Sequence, residues 1–345
     1  MSLPAITVII PCYKAAATLR RAVESALHGA PNTLQLLLVD DGSPDETGAL
    51  CDALAAGDPR ITALHRPNGG AAAARNTGLA AMQGDWVLFL DADDELLPGL
   101  WAALPDALAR CPGLVLFGME RTSGPVPCPL APGAYARLTD LGDALGPLLF
   151  ETGYLAAPYP KLFSAAVIRA AGLRFDETLA VNEDVRFNLD FLHFSHISPA
   201  ICCLPGVYYR QHDEIAGSLS RSLRADLLDA EAGNRPALAR LLAGAGWPPA
   251  GREALLRQSR VQAALNQYDL LTGRPGRMPL SARRALFRRI FADAEARATL
   301  LGRLRTDPHR LAALPYRFCL GLRLPGVLAG YTACKNRLLA ALRRG

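Results

Sequence analysis

The segment Trp86-Val87-Leu88-Phe89-Leu90 is uniformly apolar and runs straight into Asp91-Ala92-Asp93-Asp94, three carboxylates within four residues. A strand covered on both faces has reason to be rich in Val, Leu and Phe. It has no reason to end in clustered negative charge unless something cationic is held there. Along an extended chain Asp91 and Asp93 point to the same side. Like charges held together repel, and a divalent cation, Mn2+ or Mg2+, removes that cost by supplying oxygen-coordinated positive charge. An acidic turn left in solvent is the alternative reading of the same residues.

Two earlier apolar runs end in the same manner. Ala5–Ile10 stops at Pro11-Cys12-Tyr13, and Leu34–Val39 stops at Asp40-Asp41-Gly42-Ser43. Between them, Thr18–Leu27 has helical spacing and ends near Gly29, a residue suited to a helix C-terminus. Ser43, Pro44 and Glu46 have the spacing of a capping box that opens a second helix. Ile61–Leu64 reads as a short strand. Asn68-Gly69-Gly70 then breaks the chain, and an alanine-rich helix follows towards Met82, stopped by Gly84. Strands alternating with helices predict a mostly parallel central sheet with helices on both faces, and such sheets bind ligands beyond the carboxyl ends of their strands. All three polar clusters sit at such ends. Neither G-x-G-x-x-G nor G-x-x-x-x-G-K-[ST] is present, so a diphosphate finds no glycine-rich helix N-terminus and needs a metal instead.

A chain of 345 residues can hold one large domain or a domain with an appendage. With 50% hydrophobic and 20% charged residues, the composition is globular rather than disordered. The net charge of +5 is uneven, with arginines crowded after Ser220. That pattern fits a membrane surface or an anionic ligand better than nucleic acid, for which no motif is present. The eight cysteines form no C-x-x-C pair and no secretory leader precedes β-type sequence, so we expect reduced thiols, mostly buried as small hydrophobes, in a cytoplasmic protein. No stretch is long enough to span a bilayer.

Four motifs in order, Val8–Tyr13, Val39–Asp45, Asn68-Gly69-Gly70 through Ala74-Arg75-Asn76, and Phe89–Asp94, resemble those of the family 2 glycosyltransferases of GT-A fold. The likeness is dense over the first hundred residues and continues more weakly to about Ser220. It implies a Rossmann-like GT-A sheet, a nucleotide-diphosphate-sugar donor such as a UDP-sugar, a divalent metal, and transfer with inversion at the anomeric carbon. By position, Pro11 and Tyr13 wall the nucleoside, Asp41 accepts a hydrogen bond from the base, and Asp40 supports that loop. Arg75 lies near the donor phosphates or sugar, Asp91 faces the ribose or metal-bound water, and Asp93 ligates the metal. Lys14 departs from the pattern, since many relatives have Asn there.

Asn182-Glu183-Asp184 precedes a helical pattern with Val185, Leu189 and Leu192 on one face. Acids in a first helical turn are stabilised by the helix dipole, which is one reading of the pair. The other is its similarity to the family's Glu-Asp motif, in which a carboxylate takes the proton of the acceptor hydroxyl. On that reading Asp184 is the base and Glu183 orients or contacts the acceptor, with Asn182 replacing the usual Gly. Lys161, in a segment that lacks the family's initial Trp, is expected to contact donor or acceptor. Tyr208–His212, with Ser218 and Ser220, resembles the stretch that closes over the diphosphate. There His212 is expected to ligate the metal or bond a phosphate oxygen, and Arg210 and Arg221 to meet diphosphate charge.

Residues 1–220 are thus assigned to the catalytic domain and 221–345 to a helical, Arg- and Leu-rich region. Leu238–Leu242, Arg283–Arg289 and Lys335–Arg344 read as amphipathic helices with basic faces. These faces either pack as an ordinary appendage or make peripheral contact with the inner leaflet of the cytoplasmic membrane. The expected reaction moves a sugar to a hydroxyl of a glycan or lipid-linked acceptor in surface polysaccharide or lipopolysaccharide synthesis. Two other functions share parts of the pattern. A nucleotidyltransferase with this sheet would release pyrophosphate and would not need Asp184, and a silent scaffold would only bind the sugar nucleotide.

Overall fold

β1 (Ile6–Cys12) is buried at every residue but Pro11, as its β-branched composition requires. It is the centre of the fold in the computed structural model, which describes residues 3–195, 201–212, 227–273, 278–306 and 310–342. α1 (Leu19–Leu27), β2 (Gln35–Asp40), α2 (Thr47–Gly57), β3 (Ile61–His65), α3 (Ala71–Ala81) and β4 (Trp86–Phe89) follow in the predicted alternation. β2 and β4 flank β1 in parallel, with Ile10 opposite Leu38 and Ile9 opposite Phe89, and β3 extends the sheet beyond β2. α3 seats closely on β1 because residue 78 is glycine; a Cβ there would overlap Ile9 Cγ2.

β5 (Glu95–Leu96), α4 (Leu100–Arg110), β6 (Leu114–Arg121), β7 (Gly124–Val126), β8 (Gly133–Tyr135), α5 (Leu145–Phe150), β9 (Lys161–Ser164), α6 (Ala165–Ala171), α7 (Glu183–Phe194) and β10 (Ile201–Gln211) complete this part. The sheet order is β3-β2-β1-β4-β9-β6-β10-β5, with β7 on β6 and β8 on β10. β9 runs antiparallel to both neighbours, β4 and β6, whereas β10 is parallel to β6. The sheet is therefore mixed α/β, parallel through the half that carries the three polar clusters. α7 is held to it by aromatic packing. Phe175 and Phe187 stack at 4.2 Å, and Phe89 meets both rings edge-on at 5.3 and 5.9 Å.

Two local expectations are corrected. α2 starts at Thr47, without a capping box at Ser43. The Ser43 hydroxyl instead accepts the Lys14 N–H at 3.2 Å, and its own N–H donates to Asp40 Oδ1 at 3.1 Å. Short polar side chains offer such bonds in competition with helix initiation. Buried Thr47 secures the same loop, accepting the Ala15 N–H at 2.8 Å and donating to Asp45 at 2.6 Å. Second, β4 stops at Phe89, and Asp91–Asp94 is a turn closed by the Asp94 N–H on the Asp91 carbonyl at 3.0 Å. The turn, not strand alternation, gathers the carboxylates.

The chain divides into two compact units, Met1–Ile215 with Pro236–Arg252, and Ala216–Arg235 with Glu253–Gly345. A single break near residue 220 is thus too simple, because residues 236–252 join the sheet unit. The reason is apolar burial: in α8 (Leu227–Gly244), Leu238, Leu241 and Leu242 are buried and Arg240 reaches Asp190 at 3.5 Å, so this segment presents no continuous basic face. The second unit contains α10 (Leu280–Ala292), α11 (Ala294–Thr306), α12 (Arg310–Gly321), α13 (Pro325–Leu342) and most of α9 (Pro249–Gly273). Its core is built on Leu271, Phe287, Ile290, Leu300, Leu320 and Leu328. Buried Arg283 donates within it to the Leu271 carbonyl at 2.7 Å and Thr332 Oγ1 at 3.3 Å. Six of the eight cysteines are buried. Among the described residues no helix is long and apolar enough to cross a membrane.

Candidate active site

The Asp91–Asp94 turn brings one oxygen from each of Asp91, Asp93 and Asp94 within 4.8 Å of the others. Asp94 is buried and accepts the Tyr209 hydroxyl at 2.6 Å and the His212 N–H at 2.8 Å. Burial, and next the charge of Asp91, push its carboxyl up to about 8. The same two causes, in the same order, raise Asp93. The turn is fixed from behind by Arg21, which donates to the Asp93 carbonyl at 2.6 Å. Three carboxylates that repel one another to this degree, all hard oxygen donors, fit a divalent cation of the Mn2+ or Mg2+ type.

Arg75 projects from α3 into the crevice and is buried. Its Nη2 donates to Asp91 at 3.1 Å and its Nη1 to Glu183 at 3.3 Å, while the guanidinium lies 5.4 Å from the centre of the Phe175 ring. Burial works against its charge, but Asp91 and Glu183 outweigh it and hold the group firmly protonated. The first turn of α7 thereby sits beside the carboxylate turn. Asp184, next to Glu183, is half-buried and its carboxyl is pushed up to about 6 by burial and then by Glu183. Asn182 enters the helix at φ +59°, a left-handed conformation that Asn accepts more readily than most residues, so it does what glycine would do here.

Lys161 does not line the crevice. It is fully buried, with Nζ donating to the carbonyls of Ala157 at 2.5 Å and Tyr159 at 3.3 Å and to Asn188 Oδ1 at 3.4 Å. Burial pulls its ammonium down to about 7, against the opposing charge of Asp184. Asn188 Nδ2 in turn donates to the Ala156, Ala157 and Asp184 carbonyls at 2.9, 2.9 and 2.8 Å. The pair staples the 156–160 loop beneath the base of α7.

At the other end of the crevice, Tyr13 is exposed beside Pro11, and Lys14 at φ +52° places its ammonium 5.2 Å from the Tyr13 ring centre. Asp40 is held below the usual carboxylate range: burial opposes this, but hydrogen bonds from Ser43 and His65 outweigh it. Asp41 is buried and its carboxylate is already engaged, by Arg66 and by the N–H groups of Gly69 at 3.0 and 3.2 Å and Gly70 at 2.7 Å. It holds the 68–70 loop rather than projecting into open space.

The last expected group divides. The His212 N–H meets Asp94, but its imidazole Nε2 lies 2.7 Å from Glu95 and does not join the three carboxylates. Arg210 pairs with Glu120 at 2.7 Å and Glu95 at 3.7 Å. Ser218, Ser220 and Arg221 lie outside the described residues. Sequence reasoning missed the stacked rings of Tyr159 and Tyr209, 4.6 Å apart and 6° from parallel, which close the crevice behind Asp94. It also missed Asn188, although a polar residue one helical turn after Asp184 was a readable signal.

A mixed sheet whose strand ends carry a carboxylate turn, faced by a helix that begins with an acid pair, defines a transferase of GT-A fold. Residues 7–126 match the family described as Glycosyl transferase family 2, and the chain belongs to it. It is 30% identical over 239 residues to the succinoglycan biosynthesis protein ExoO of Rhizobium meliloti, covering 66% of either chain. It is 28% identical over 192 residues to the uncharacterized glycosyltransferase EpsJ of Bacillus subtilis, covering 54% of this chain and 56% of that one. The chain thus spans between half and two thirds of the length of these relatives. Among solved structures, S. aureus TarS 1-349 in complex with UDP-GlcNAc superposes with a TM-score of 0.62 at 18% identity, over 96% of this chain and 91% of that one. That likeness establishes the fold.

Proposed function

We propose that this glycosyltransferase moves a sugar from a nucleoside-diphosphate sugar, a UDP-sugar, to a hydroxyl of a glycan or lipid-linked acceptor, with inversion, in surface polysaccharide or lipopolysaccharide synthesis. The observation that carries the reading is the continuous bridge Asp91–Arg75–Glu183, which sets the carboxylate turn beside Asp184. The names of ExoO and of the UDP-GlcNAc complex of TarS support the product and donor class. Asp184 takes the acceptor proton as the acceptor oxygen bonds to the anomeric carbon, and the bond to the diphosphate breaks on the opposite face with its electron pair leaving on the diphosphate. A carboxyl raised to about 6 is ionised at neutral pH yet basic enough for this transfer. Glu183 orients the acceptor, and Arg75 holds both carboxylate groups in place.

Asp93 and Asp91, with Asp94 behind them, would hold the cation, whose bound charge would neutralise that of the departing diphosphate. Pro11 and Tyr13 form the nucleoside wall, with Asp40 and Asp41 shaping the loop beneath it. His212 and Arg210 stand at the rim, His212 held by Glu95 and Arg210 by Glu120 and Glu95, where they reach diphosphate oxygens by leaving these partners. We place the reaction on the cytoplasmic side. The test is product analysis with a panel of nucleotide sugars and Mn2+ or Mg2+. Release of nucleoside diphosphate that is lost in Asp184→Asn supports the proposal. Release of pyrophosphate when the protein is given nucleoside triphosphates and sugar 1-phosphates instead would make the chain a nucleotidyltransferase, and binding without release of either product would make it a scaffold.

A further inference from the structure

In the second unit, α12 and α13 form a hairpin whose outer surface is apolar. Leu314 and Phe318, four residues apart on α12, Leu322 in the turn, and Val327 and Tyr331, four apart on α13, are 41 to 59% exposed. Five large hydrophobic side chains on one hairpin are more than scattered surface residues account for. The hairpin itself is tied internally. The Tyr331 ring meets buried Tyr316 edge-on at 5.5 Å, and Lys335 Nζ donates to the Tyr316 hydroxyl at 2.9 Å.

The charge around this ridge is of one sign. Residues 308–345 contain seven Lys or Arg and no Asp or Glu. Arg323 is exposed in the turn, Arg317 is half-buried on α12, and Arg284 of α10 lies against Gly326, where a Cβ would meet its Nε at 3.2 Å. None of these three makes an ion pair with a described residue. Elsewhere in the same unit Asp229 pairs with Arg289, Asp269 with Arg303, Asp293 with Arg260, and Glu295 with Arg257. Arg284, Arg317 and Arg323 thus stand beside the exposed apolar side chains with no acid partner among the described residues.

We infer that the α12–α13 hairpin is a docking surface for an anionic lipid bilayer, lying in the interface with Leu314, Phe318, Leu322 and Val327 in the acyl boundary and the arginines at the headgroups. A bilayer supplies both things this surface lacks, an apolar phase and diffuse negative charge. A second copy of the chain supplies neither without cost, since a two-fold contact would set the acid-free segment against itself. Among the described residues no helix is long and apolar enough to span the bilayer, and on this inference the hairpin lies in the interface. This surface is independent of the glycosyl-transfer reading and its test needs no substrate.

The experiment is co-sedimentation of the full chain with vesicles of phosphatidylcholine alone and with phosphatidylglycerol added. Binding is expected to the anionic vesicles only, weakened by salt. The double variant Phe318→Gln/Leu322→Gln should weaken it by about tenfold or more, and Arg317→Gln/Arg323→Gln should reduce its salt dependence. All variants should keep the thermal melting of the wild type, because Phe318, Leu322 and Arg323 are exposed and Arg317 makes no ion pair with a described residue. Absence of binding to anionic vesicles, or unchanged binding by the apolar variant, overturns the proposal. So does dimerisation in light scattering that the same apolar variant abolishes, which would make the occupant a second copy.

Discussion

Arg75 and Glu183 are 108 positions apart in sequence and 3.3 Å apart in the structure, joined by a guanidinium that also holds Asp91. One side chain thus ties the strand-end carboxylates of the first half of the sheet unit to the helix-borne acids of the second. A lysine offers a single ammonium and cannot serve both partners in this forked geometry. Arg75→Lys should fold but lose transfer by about 100-fold, since small misplacements of reacting groups cost that much. Arg75→Met leaves two half-buried acids without their cation and should cost up to about 3 kcal/mol of stability. Thermal melts and initial rates separate the two effects; equal rates in wild type and Arg75→Lys would refute the bridging role.

The carboxylate turn makes a prediction about pH and metal. With its folded pKa at about 8 and an ordinary value of 3.8, Asp94 binds its proton more tightly in the folded state. Its contribution to stability is complete below about pH 4 and is lost as pH rises through 8. On the proposed function a divalent cation would replace that proton, so Mn2+ should raise the melting temperature more at pH 8 than at pH 6, and binding should release protons. Titration calorimetry in buffers of different ionisation enthalpy measures the release. Asp93→Asn should weaken the cation, and chelation should stop transfer. A cation effect on melting that does not depend on pH would contradict the assignment.

What the chain order made readable follows the range of the interactions. β1 to β4 and their carboxyl-end clusters come from contiguous apolar runs and local turn chemistry, and they are where the sequence puts them. The local pattern failed where a competing local bond won, at Ser43, whose hydroxyl takes the Lys14 amide instead of starting α2. It was silent wherever the partners are distant. Nothing in the periodicity around Lys161 says that β9 enters between β4 and β6 in the opposite direction, nor that Tyr159 will stack on Tyr209. Asn182 lies between these cases. Its type permits the left-handed entry to α7, but only the fold requires it.

Asp184 should display opposing demands on activity and stability. Its carboxyl stands at about 6 in the folded chain, raised from 3.8 by burial and by Glu183. As the general base of the proposed mechanism it would have to be ionised, so transfer should fall off below about pH 6. Ionising it costs stability, which is present below about pH 4 and declines as pH rises through 6. Asp184→Asn should therefore abolish transfer while raising the melting temperature at pH 8, with the gain disappearing near pH 4. A variant that melts lower than wild type at pH 8 would show that the charged carboxylate is structurally favourable and would remove the burial argument.

Lys161 offers the sharpest separation between the sequence expectation and the structure. A residue that contacts donor or acceptor would, when removed, raise the KM for that substrate and leave the fold alone. The structure gives it no access to substrate; it bonds the 157 and 159 carbonyls and Asn188 beneath Asp184. Lys161→Met, similar in length and without donors, removes the Lys161 bond from the Tyr159 carbonyl and Asn188 Oδ1, while the Ala157 carbonyl keeps its bond from Asn188; each acceptor left buried without a partner costs about 1–3 kcal/mol. The expected result is lower stability and a fall in kcat with little change in donor KM, because the base of α7 loosens while the nucleoside wall is untouched. The pH dependence supplies a second mark. With its folded pKa near 7 against 10.5, the lysine binds its proton less tightly in the folded state, so wild-type stability gains from this residue as pH rises from 7 towards 10. Lys161→Met should lack that gain. Denaturant melts of both proteins at pH 7 and pH 9.5, beside donor KM and kcat, distinguish a buried staple from a substrate contact.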